Sequence, residues 1–69
     1  MAGSVARIIE ISSTSESSFE DAVKTGLQRA SQTLRHVSSA WIKDQKIMLD
    51  GEGGITAYQV HMLVTFVLD

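Results

Sequence analysis

Residues 55–68, ITAYQVHMLVTFVL, contain no glycine, no proline and no Asp, Glu, Lys or Arg. A run of that kind, rich in β-branched and aromatic residues, reads as one long strand. Alternate residues of a strand point to opposite faces, so Tyr58, Val60, Met62, Val64, Phe66 and Leu68 form a continuous apolar row. That row needs a helix over it. The other face carries Ala57, Gln59, His61, Leu63, Thr65 and Val67, none of them an acid, a lysine or an arginine. A sheet face open to water normally carries charged side chains. The second row therefore needs cover too, and a chain this short can supply it only from another subunit.

The other elements arrange themselves around this strand. The glycines of DGEGG (50–54) mark a turn, and VSSAWIKDQKIML (37–49) before it reads as a second strand, so the two form a hairpin. VARIIEI (5–11) reads as a first strand, ended by the polar run SSTSESS. Ser17 then stands three residues before Glu20, the spacing of a capping box, and Asp21 adds a second acid in the first turn. The spacing predicts a helix from about Ser18 to about Arg35, with Phe19, Ala22, Val23, Leu27, Ala30 and Leu34 on its buried stripe. Gly26 lies in that stripe, and its cost of roughly 1 kcal/mol against Ala points to another backbone passing close. Arg35 and His36 suit the negative end of the helix dipole.

A β-α-β crossover places the first two strands parallel in one sheet, and the hairpin makes the third antiparallel to the second. Setting the third strand between the others gives order 1-3-2 with every neighbouring pair antiparallel. The expected fold is α+β: a single domain over residues 1–69, one helix cradled by a three-stranded antiparallel sheet.

At 69 residues the core is near the lower limit for a stable domain, and with no cysteine neither a disulfide nor a thiolate-bound metal reinforces it. Oligomerisation is the remaining source of stability. A net charge of −2 with six scattered basic residues argues against nucleic acid as a partner. No apolar run approaches a membrane span, and MAGSVARIIE lacks the apolar core of a signal peptide, so a soluble cytoplasmic protein is expected. The serines gather where capping and turns explain them, without a base arranged around any of them, so no enzyme is expected.

Several segments together resemble one family: TSESSF (14–19), RASQTLRHV (29–37), AWIKDQ (40–45), YQV (58–60) and TFVLD (65–69). In order, spacing and total length the chain resembles the dodecins, small β-α-β-β proteins that assemble as hollow shells of twelve subunits and bind flavins. The resemblance implies a homododecamer and a flavin, riboflavin or FMN, held for storage and buffering. In flavin-binding dodecins a tryptophan early in the second strand stacks on the isoalloxazine ring and a glutamine in the third strand binds its polar edge. Gln59 stands at the glutamine position. The tryptophan position falls on Ser39, while the only tryptophan, Trp41, is two residues further on, where such relatives usually carry an acid. The resemblance implies Asp44 as the aspartate that meets the ribityl chain. An arginine often found in the last motif is Val67 here. Some dodecins lack the stacking tryptophan and have been linked to calcium or to no flavin, so a non-flavin assembly holding another small ligand or a metal ion such as calcium is the alternative.

Two readings of Trp41 stay open. It shares a strand face with Ser39, about 6–7 Å away, and either stacks on a ring from this shifted place or covers a subunit contact. Gln59, on the covered face, pairs either with a flavin edge or with its own copy in another subunit. His61, two residues along, and His36 have no convergent acid visible in the sequence, so interface and dipole roles are expected of them. Asp50 and Glu52 superficially suggest calcium, but their loop is far shorter than an EF-hand.

Overall fold

The computed structural model describes residues 3–68, which form four elements: β1 (Ala6–Ser15), α1 (Phe19–Thr33), β2 (Val37–Leu49) and β3 (Ile55–Val67). Met1, Ala2 and Asp69 lie outside the described residues, and with them the ends of MAGSVARIIE and TFVLD. The three strands make one sheet of order β1-β3-β2, and β3 pairs antiparallel with both neighbours. The fold class and topology expected from the sequence are those observed.

The apolar row of β3 is the centre of the core. Val60, Met62 and Val64 are fully buried with Ala22 of α1, and Ile9, Ile11, Phe19, Val23, Leu27, Val37 and Ile42 pack around them. Phe19 meets Tyr58 edge to face, with ring centroids 5.1 Å apart. Leu68, expected at the end of the row, lies beyond the strand and is exposed. Among the described residues no helix is long and apolar enough to cross a membrane.

β1 is longer than its apolar segment. It runs on through Ser12–Ser15, part of the polar run expected to end the strand. Ser13 and Ser15 alternate onto the helix side and are buried, and Ser15 Oγ donates to Asp21 Oδ2 at 2.6 Å while accepting from the Ser17 N–H at 2.9 Å. Small hydroxyl side chains let α1 come close here. A Cβ on Gly26 would stand 2.9 Å from Ser13 Cβ and 2.8 Å from Met62 Cε, so side chains rather than a second backbone require the glycine.

The helix cap also shifts by one residue. Ser18, not Ser17, is the N-cap; its Oγ accepts from the Asp21 N–H at 3.0 Å, leaving Glu20 to pair with Lys24 one turn on. At the other end α1 stops at Thr33, with Leu34 as C-cap donating its N–H to Ala30 O. Arg35 and His36 therefore follow the helix rather than closing its last turn. His36 takes a left-handed backbone (φ 60°) and its carbonyl accepts from the Val67 N–H at 3.0 Å, which leads the chain into β2.

β1 pairs with β3 only as far as Tyr58, so the tip of the β2–β3 hairpin projects beyond the rest and gives a body of 56 × 20 × 14 Å. Ile47, Leu49 and Ile55 lie exposed along that projection.

Candidate functional site

The face of the sheet turned away from α1 is built row by row. Residues opposite one another in antiparallel strands share a face. Across β1, β3 and β2 the rows are Ile8–Thr65–Ser39, Glu10–Leu63–Trp41, Ser12–His61–Asp44 and Thr14–Gln59–Lys46. Trp41 stands beside Leu63 with 73% of its surface exposed. Ser39 is one row away on the same strand. Gln59 lies two rows the other way, roughly 13 Å along β3, and its Nε2 donates to Thr14 Oγ1 at 3.3 Å.

Trp41 and Asp44 are three residues apart, and plain alternation would set them on opposite faces. A register shift between Ile42 and Asp44 leaves Lys43 as an additional residue in β2. The bulge returns Asp44 to the outer face, where its Oδ1 lies 2.6 Å from His61 Nδ1. Lys43 reaches over β3 to Glu10 Oε2 at 3.2 Å. The sequence pattern shows no acid converging on His61; the bulge supplies one. The six β3 positions of this face carry no acid, lysine or arginine, but the flanking strands add Glu10, Lys43, Asp44 and Lys46. Alternation along β2 carries no sign of the extra residue, so sequence pattern could not have found the pair.

Of the four predicted site residues, Ser39, Trp41, Asp44 and Gln59 all lie on this one face. Chemically the face offers a flat indole, an amide with donor and acceptor, a carboxylate and an imidazole.

Two other features bear less chemistry. An open groove of about 420 Å³ runs between α1 and the edge strand β1, lined by Ile9, Ile11, Ser13, Thr25, Gly26 and Arg29 among others. None of the four site residues lines it. At the hairpin tip, Asp50 Oδ1 accepts from the N–H groups of Glu52 (2.7 Å) and Gly54 (3.1 Å), and these bonds hold its carboxyl below its ordinary value. That carboxylate oxygen serves its own turn. Among the described residues no three His, Cys, Asp or Glu side chains gather as a metal site.

The Dodecin family model matches residues 5–69, nearly the whole chain. The chain belongs to the dodecin family. It is 37% identical to the dodecin of Thermus thermophilus over 67 residues, covering 97% of this chain and 96% of that one. Its fold is similar to that of the dodecin from Streptomyces davaonensis, with a TM-score of 0.90, 32% identity and coverage of 99% of this chain and 98% of that one. It is also similar to a calcium-chelating immunodominant antigen of Mycobacterium tuberculosis described as a calcium dodecin with a novel calcium-binding site. There the TM-score is 0.81 at 30% identity, covering 96% of this chain and 93% of that one. As a dodecin, the chain carries Trp41 and His61 on the outer sheet face.

Proposed function

We propose that this dodecin is a cytoplasmic, non-enzymatic store that binds and buffers flavin, riboflavin or FMN, at the outer face of its sheet within a homododecameric shell. The observation that carries the reading is Trp41, an indole 73% exposed on a sheet face that also presents Gln59 and Asp44. Trp is enriched at surfaces that a partner covers, with its apolar body buried and its N–H still within reach of a hydrogen-bond acceptor. The side chains fit a flavin: an aromatic plane for its ring, an amide for its imide edge, and polar groups for its ribityl chain. Ser39 cannot stack, so Trp41 takes over that contact from one row away.

Ser39 and the relationship to a calcium dodecin favour a second reading, a shell without flavin that holds another small ligand or a cation such as calcium. The absorption spectrum and the mass of the purified protein distinguish them. Flavin bands on a particle of about 90 kDa, twelve times 7.5 kDa, are expected. A colourless particle that takes up no riboflavin supports the second reading, and a monomer mass removes the shell.

A further inference from the structure

We infer that His61, fixed by Asp44, is itself a ligand-contacting residue, whose Nε2 accepts a hydrogen bond from an N–H on the edge of a planar heterocycle. The inference rests on the function proposed above and names the ligand chemistry it selects.

His61 sits in the row between Trp41 and Gln59, roughly 7 Å from each along β3. A ring that covers Trp41 and extends toward Gln59 passes over the imidazole. The 2.6 Å contact with Asp44 Oδ1 engages Nδ1. A neutral imidazole that donates from Nδ1 keeps its lone pair on Nε2, so the carboxylate fixes the tautomer in which Nε2 is an acceptor. The bulge at Lys43 matters for this reason: without it Asp44 would face the helix side and leave the tautomer unset. Toward His61, Asp44 is a positioning residue through Oδ1, in addition to the ribityl contact proposed for it above. The selected ligands are flat heterocycles with an edge N–H, as the imide of an isoalloxazine has. Of the other charged groups on this face, Glu10 is tied to Lys43, and Lys46 stands opposite Gln59. A proton on Nε2 replaces the acceptor by a donor and abolishes the contact.

The test is riboflavin titration of the wild-type assembly and of His61→Val, with the imidazole tautomer read from ¹⁵N shifts in the ligand-free protein. His61→Val is expected to bind about tenfold more weakly than wild type. The ligand-free wild type should show the Nδ1–H tautomer, lost in Asp44→Ala. Equal affinities of wild type and His61→Val overturn the inference while leaving flavin binding intact. An Nε2–H tautomer overturns it even if the valine variant fails to fold. Wild type that binds no riboflavin overturns the proposed function and this contact together.

Discussion

Trp41 carries the largest single consequence at the scale of one residue. Stacking against a flat ring contributes on the order of 1–3 kcal/mol, so Trp41→Ala should lower riboflavin affinity tenfold or more, measured by fluorescence titration. Ser39→Trp should raise it, by restoring the aromatic residue where the flavin-binding relatives are expected to have it. Gly26→Ala tests the packing. The helix itself favours Ala by roughly 1 kcal/mol, but the new methyl would press on Ser13 Cβ, which cannot swing away, as well as on the more flexible Met62 Cε. Overpacking costs about 1–3 kcal/mol, so a net loss of about 1 kcal/mol in denaturant unfolding is expected. A gain in stability would show that Ser13 and Met62 yield freely.

Among the elements, the hairpin turn has a pH signature. The Asp50 carboxylate accepts from Glu52 and Gly54 in the folded chain, which depresses its titration below the ordinary value of 3.8. A group depressed on folding contributes stability that is complete above its unfolded value and is lost as pH falls through the folded one. NMR titration should therefore find the Asp50 midpoint below 3.8, and Asp50→Ala should remove that part of the acid sensitivity. A midpoint at or above the ordinary value would mean that the turn is not held by this side chain. The elements also show what was legible in the sequence. β3 could be read from its alternation and the turn from its glycines, and β2 was legible as a strand although its bulge at Lys43 breaks the alternation of its faces. The serine run was not, because Ser13 and Ser15 look like loop residues until the helix that needs their small size is in place. The cap moved from Ser17 to Ser18 for the same reason, since β1 delivers Ser15 to the start of α1. All four candidate site residues were named from the sequence through family resemblance, yet the pairing of Asp44 with His61 needed the bulge, which no periodicity announces.

For the whole molecule, the projecting hairpin and the exposed Trp41, Ile47, Leu49 and Ile55 describe a subunit whose apolar surface is incompletely covered. Shell assembly would bury it. Leu63 stands in the middle row of the outer face, beside Trp41 and opposite Glu10. Leu63→Lys should break the particle into smaller species in light scattering if assembly closes over this face, because Glu10 opposite is already held by Lys43 and the new charge would be buried unpaired. An intact particle would mean that this face remains open to water in the assembly. Flavin binding at the outer face against Trp41 is the proposal on which the rest depends. Because the chain has one tryptophan, its emission reports on that site alone, and the direct measurement is titration of the apo assembly with riboflavin while following both fluorophores. Saturable quenching of Trp41 and of the flavin together is expected. Unchanged emission from both, with quenching created by Ser39→Trp, would contradict it and make Trp41 an interface residue of a dodecin that does not bind flavin.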